Sequence, residues 1–201
     1  MPDRLVHFWF DFSSPYSYIA SEWVDALAAR HGRRTRWHAM LLGVTFAAAE
    51  LRSPVDHPIK RDYAYRDFAR SARFEGVPYR QPERFPIATV NAARVFWWLD
   101  DEDPQRAVDW AHAALRAYFA RGVMLDDPAA LKALVAESGL DAEAAERAWN
   151  DPRWKDRLKQ VNREALDAGM FGAPYIVIDG EPFWGNDRKP QVERWLAQGP
   201  F

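Results

Sequence analysis

The chain has 201 residues, room for one domain or for one domain with a large insertion, and its 48% hydrophobic content supplies a core and excludes a disordered chain. A formal net charge of -2, with no basic, aromatic-interleaved stripe, argues against nucleic acid or an anionic membrane as a partner. The absence of cysteine excludes disulfides, thiolate metal centres and dithiol redox chemistry by the chain's own side chains.

In chain order, the first predicted element is a strand over Leu5–Phe10, nearly continuous in apolar, β-prone residues and so read as buried on both faces. This run is too short for a signal-peptide core and ends in Asp11 with no small-residue cleavage site. No segment approaches the roughly 18 to 20 apolar residues that span a bilayer. A soluble, cytoplasmic protein is expected.

Ser14-Pro15 is a strong helix-start signal, because Ser is favoured as the N-cap and Pro at the first helical position. Tyr16, Ile19, Trp23, Ala26 and Leu27 then recur at helical spacing until His31-Gly32. Arg34–Leu41 reads as a second strand, which completes a βαβ opening with an expected right-handed crossover. From about residue 44 to about residue 168 the pattern is mainly helical, first broken by prolines. Four cleaner helices follow over Pro104–Arg121, Asp127–Ser138, Asp141–Asn150 and Pro152–Ala168. Strand character returns over Ala173–Asp179 and Pro182–Trp184, and Asn186-Asp187 is placed to cap a last helix running through Leu196. The order βαβ, helical block, ββα is that of an α/β thioredoxin-like fold with a large all-helical insertion. The thioredoxin-like part spans 1–43 and 169–201, and the insertion spans 44–168.

In such a fold the N-terminus of the first helix is the reactive centre, because its free N–H groups and the helix dipole stabilise an anion. Redox proteins of this type place Cys-x-x-Cys there, and the dipole lowers the thiol pKa. Here the four positions read Ser14-Pro15-Tyr16-Ser17, so the geometry is kept and the thiol is gone. A site of that kind suits a borrowed thiolate, that of glutathione, with Ser14 donating a hydrogen bond to the sulfur. The bland reading of Ser14 is an N-cap and nothing more. Ala173-Pro174 stands where thioredoxin-like proteins carry a cis-proline whose neighbour pairs with a peptide-like ligand. Its bland reading is a proline opening a strand. Asn186 and Asp187 either cap the last helix or hold the carboxylate and ammonium of a γ-glutamyl group. His7 and His38 read as core or edge histidines, and no His or carboxylate spacing resembles a metal centre. Trp97, Trp98, Trp149 and Trp154 read as core, with an aromatic substrate pocket as the alternative.

Phe10-Asp-Phe-Ser-Ser-Pro-Tyr-Ser-Tyr-Ile-Ala20 resembles the N-terminal motif of the 2-hydroxychromene-2-carboxylate isomerases and kappa-class glutathione transferases. Phe171–Arg188 resembles their C-terminal block, in the isomerase version that carries Trp-Gly-Asn-Asp-Arg. Lys60-Arg-Asp-Tyr63 followed by Asp67 matches a weaker pattern between them. The resemblance implies a DsbA-like thioredoxin fold, glutathione as cofactor, a small aromatic substrate and a homodimer. It implies catalytic contact of Ser14 with the sulfur and a glutathione site formed by Pro15, Tyr16, Ala173, Pro174, Asn186 and Asp187. Lys60 is a candidate for a substrate or glutathione carboxylate, against the alternative of a solvated helix lysine. In the isomerase the thiolate adds to the conjugated carboxylate, a bond rotates, and elimination regenerates glutathione. The alternatives are a kappa-like transferase and a non-catalytic peptide-binding module. Two departures stand out. The stretch 47–58 lacks the Asn that relatives place after the second strand, and Ala173 is smaller than the usual Val or Leu.

Overall fold

The computed structural model describes residues 4–201, so the first three residues assigned to the thioredoxin-like part lie outside the described residues. Four strands form one mixed sheet: β1 (Leu5–Phe10), β2 (Arg34–Ala39), β3 (Tyr175–Ile178) and β4 (Glu181–Trp184). Their order is β2-β1-β3-β4, with β1 and β2 parallel and the β1–β3 and β3–β4 pairs antiparallel. The register sets Trp9 opposite Tyr175 and Val6 opposite Ile178, so the first and last segments of the chain zip together. The apolar run of β1 is explained by this central position: Val6, Phe8 and Phe10 are wholly buried. His7 and His38 meet across β1 and β2 at 3.0 Å, with the His38 ring stacked on Trp9.

Helix α1 (Pro15–Arg30) crosses from β1 to β2, and α9 (Lys189–Gln198) follows β4. Between β2 and β3 come α2 (Leu42–Ala48), α3 (Arg61–Glu75), α4 (Val90–Glu102), α5 (Pro104–Arg116), α6 (Pro128–Glu137), α7 (Ala142–Asn150) and α8 (Pro152–Asp167). Asp103, Asp127, Asp141 and Asp151 each cap the following helix with a side-chain carboxylate that accepts backbone N–H groups. The segment expected as one helix over Pro104–Arg121 ends instead in a wider π-turn over Ala117–Arg121, which Gly122 closes in the left-handed conformation. One hydrophobic core runs from Val6 through the helices to Val192. Trp97, Trp149 and Trp154 belong to it, and half-buried Trp98 packs against it. None of the described helices is long and apolar enough to cross a membrane.

One sequence expectation is corrected at the C-terminal end. Asn186 and Asp187 do not cap α9; they form a short 3-10 turn, and the helix starts at Lys189 with no side-chain cap. The reason lies far away in sequence. The Asn186 side chain is buried and its Oδ1 accepts the Trp23 indole N–H at 2.7 Å, which ties the 3-10 turn to α1.

Candidate active site

The loop from β1 into α1 is held from below by a carboxylate. Asp11 is fully buried and accepts hydrogen bonds from the Ser13 N–H (2.6 Å), the Leu42 N–H (2.5 Å) and the Thr89 hydroxyl (3.0 Å). Burial pushes its pKa up and the three donors pull it down, with burial the larger effect. Ser13 carries the brace further, since its Oγ accepts the Ile87 N–H at 3.1 Å. One loop is thereby fastened to the starts of α2 and α4.

That brace sets the position of Ser14, the N-cap of α1. Its Oγ accepts the Ser17 N–H at 3.1 Å, as an N-cap should, and it is only 2% exposed. The hydroxyl also does something a cap does not require: it donates its single proton to the carbonyl of Ala173 at 3.2 Å, across the sheet. The Ala173-Pro174 peptide bond is cis, and the Gly185 N–H donates to the Pro174 carbonyl at 3.0 Å. The helix start and the cis-proline loop thus face each other.

Tyr16 stands beside them, half-buried, with its hydroxyl donating to Asp67 on α3. Burial is the main cause that raises its pKa far above the usual phenol range, followed by Asp67 and more weakly by Asp187. Tyr16 is therefore a neutral donor at any working pH. Asp67 is in turn paired with Arg70, whose guanidinium lies over the Tyr63 ring.

Ser14, Pro15, Tyr16 and Ala173 all line one cleft of about 490 Å³. Its walls are largely apolar, with Phe46 and Leu51 on one side, Phe68, Phe85 and Ile87 on another, and Trp184 at the mouth. The Trp184 indole stacks edge-on against Phe171 and covers Gly172, where an added Cβ would lie 2.3 Å from the indole nitrogen. Gly172 is needed for that close approach. Trp97, Trp98, Trp149 and Trp154 do not line this cleft.

Asn186 and Asp187 are not in the same cleft. They line a neighbouring groove with Arg70, Phe74, Lys189 and Pro190. Asp187 is 73% exposed at its side chain and has a loose ion pair with Arg188 at 3.4 Å. Gly185 makes the turn that presents it, at a φ of 105° and with no room for a Cβ, which would meet the Asp187 carboxylate at 2.5 Å. Tyr16 is the link between the two regions, lining the cleft while feeling the charge of Asp187. Lys60 lies exposed just before α3 and does not line the cleft.

A thioredoxin-like sheet, a serine at the head of α1 and a cis-proline opposite it agree with the matches found for the chain. Residues 5–197 match the DSBA-like thioredoxin domain family. The chain is 30% identical to a 2-hydroxychromene-2-carboxylate isomerase of Pseudomonas putida, over 96% of this chain and 95% of that protein. It belongs to the DsbA-like thioredoxin family, in the group of 2-hydroxychromene-2-carboxylate isomerases and kappa-class glutathione transferases. Glutathione S-transferase kappa 2 of Caenorhabditis elegans is 29% identical, over 100% of this chain and 95% of its own. A solved 2-hydroxychromene-2-carboxylate isomerase superposes with a TM-score of 0.86 at 26% identity, covering 96% of this chain and 95% of that one. At the head of α1 this chain carries Ser14, and it has no cysteine.

Beyond Ser14, Pro15, Tyr16 and Ala173, sequence reasoning missed the residues that build the cleft. Asp11 carried a readable signal, an isolated carboxylate between two phenylalanines at the end of a buried strand. The Thr89 and Ile87 contacts, like the Trp184 cover on Gly172, join positions more than ten residues apart and leave no local pattern.

Proposed function

We propose that this protein is a glutathione-dependent isomerase of conjugated aromatic carboxylates. The observation that carries the reading is the Ser14 hydroxyl, held between the head of α1 and the Ala173 carbonyl in a chain without a thiol of its own. The donor set fits a thiolate: the Ser14 hydroxyl stands at the positive end of a 16-residue helix. Glutathione would supply there the thiolate that adds reversibly to a conjugated substrate and is recovered unchanged.

The chain's residues then have distinct tasks. Ser14 holds the sulfur as an anion by donating its proton to it. Ala173, whose carbonyl already points at Ser14, offers backbone polar groups to the cysteinyl unit, and cis-Pro174 keeps that backbone presented. Asp187 is an exposed carboxylate available to an ammonium, and Asn186 retains its amide donors because only its oxygen is taken by Trp23. Pro15 and Tyr16 form the wall between these parts, with the Tyr16 hydroxyl fixed by Asp67. The apolar walls of the cleft exclude water and accept an aromatic ring.

The test is a turnover assay with 2-hydroxychromene-2-carboxylate and glutathione. Isomerisation that requires glutathione and leaves its concentration unchanged supports the reading; isomerisation that proceeds equally well without glutathione overturns it. The likeness to a kappa-class transferase favours a second reading, conjugation of glutathione to electrophiles. Stoichiometric loss of glutathione in the same assay selects that one.

A further inference from the structure

We propose that Arg52 is the residue of the Ser14 cleft that takes a ligand carboxylate, an assignment that rests on the reading of this cleft as the reaction site. Among the described residues, Arg52 is the one cationic side chain lining the cleft. It is exposed and makes no ion pair or side-chain hydrogen bond to any described residue. Arg52 differs in this from Arg33, Arg36, Arg84, Arg116 and Arg121, which each grip an acid with two nitrogens. A guanidinium beside apolar walls and without a partner is a fork suited to a planar carboxylate.

The backbone that leads into Arg52 is fastened. Helix α2 ends in a tight cap: Leu51 N–H donates to the Phe46 carbonyl at 2.8 Å and Glu50 N–H to the Ala47 carbonyl at 3.3 Å. Glu50 sits in the left-handed conformation at a φ of 54°, a position where glycine is the ordinary choice. Phe46 and Leu51, the pair joined by this cap, both line the cleft, so the next residue is delivered at its rim. The acids that share the lining do not neutralise Arg52. Asp11 is turned to its three donors, and Asp56 makes no ion pair with Arg52. Lys60, the sequence candidate for a carboxylate, lies outside the lining.

The shared chemistry is an organic carboxylate, which an aromatic acid and the glycyl end of glutathione both carry. Calorimetric titration of wild type, Arg52→Met and Arg52→Lys with four probes separates the sources: trans-cinnamate, its neutral amide, glutathione, and glutathione esterified at the glycyl carboxylate. The expected result is a loss of about tenfold or more for an acid in Arg52→Met, little change for its neutral counterpart, and substantial recovery in Arg52→Lys. A loss confined to cinnamate assigns the contact to the substrate, and one confined to glutathione assigns it to the cofactor. Equal weakening of acid and neutral probes, or no weakening of either acid, overturns the assignment. Wild-type protein that binds glutathione while Arg52→Met behaves identically sinks this proposal alone. Wild-type protein that binds no glutathione sinks the functional reading and this one with it.

Discussion

Replacing Ser14 by Ala removes one oxygen that makes two bonds in the structure, the cap to the Ser17 N–H and the donation to the Ala173 carbonyl. Loss of an N-cap costs about 1 kcal/mol and loss of one neutral hydrogen bond about as much again, so stability should fall by about 2 kcal/mol. For a chain of this size that lowers the melting temperature by about 4–8 °C. The effect on a bound thiolate is of a different kind. A hydrogen bond to an ionised group is worth about 1.5–3 kcal/mol, and one pKa unit corresponds to about 1.4 kcal/mol. The thiol of bound glutathione should therefore titrate about 1–2 units higher in Ser14→Ala than in the wild type. The assay is an ultraviolet absorbance titration of the thiolate in both complexes, with Ser14→Thr as a control that keeps hydroxyl and cap. Expected is a displaced titration in the Ala variant and a near-normal one in the Thr variant. Identical thiol pKa values in wild type and Ser14→Ala, both proteins being folded, would refute the reasoning and leave Ser14 a helix cap only.

Three further outcomes are expected. Ser14→Cys should place the chain's sole thiol at the head of α1, with a pKa below the usual value of about 8.5, read from the pH dependence of iodoacetamide alkylation; an unshifted pKa would show that the helix end does not stabilise anions. Gly172→Ala should drive the half-exposed Trp184 indole off its seat at a stability cost of about 1 kcal/mol or less while weakening glutathione binding, since the clash is with a side chain free to swing outward; a larger loss of stability in urea titrations would show that the indole is locked. His38 is half-buried and its pKa is held well below the usual value, chiefly by desolvation and then by His7 and nearby arginines. The unfolded chain therefore binds the extra proton first, so this residue's contribution is full above about pH 6.5 and declines as pH falls below it. Urea midpoints at pH 7.5 and 5.5 should differ less in His38→Gln than in the wild type, and an unchanged difference would remove His38 as the cause.

Features read at short range were legible in the sequence. The Ser14-Pro15 start of α1, the aspartate caps at 127 and 141 and the continuous apolar strand β1 all carry their cause within a few residues, and each was found where expected. The order βαβ, helices, ββα followed from them. What escaped has its cause elsewhere in the chain. Asn186 looks like a helix cap until Trp23, 163 positions earlier, claims its oxygen. The π-turn at 117–121 was read as plain helix, although the aromatic pair Tyr118 and Phe119 is wholly buried in the core there. The cleft itself was invisible because its walls come from α2, α3, the loop before α4 and the end of β4, and only the folded sheet brings these together.

The lone proton on Ser14 has one further consequence. It is spent on the Ala173 carbonyl when nothing else is present. An anion arriving at the head of α1 draws that proton away, and the carbonyl then loses its partner in a buried place, which is unfavourable unless a new donor arrives with the anion. A peptide thiolate brings one in its own amide N–H; a small thiol such as mercaptoethanol has no amide to offer. The exchange of a single hydrogen thus turns the serine into a test of ligand identity, answered by a sulfur and an amide together and failed by a sulfur alone.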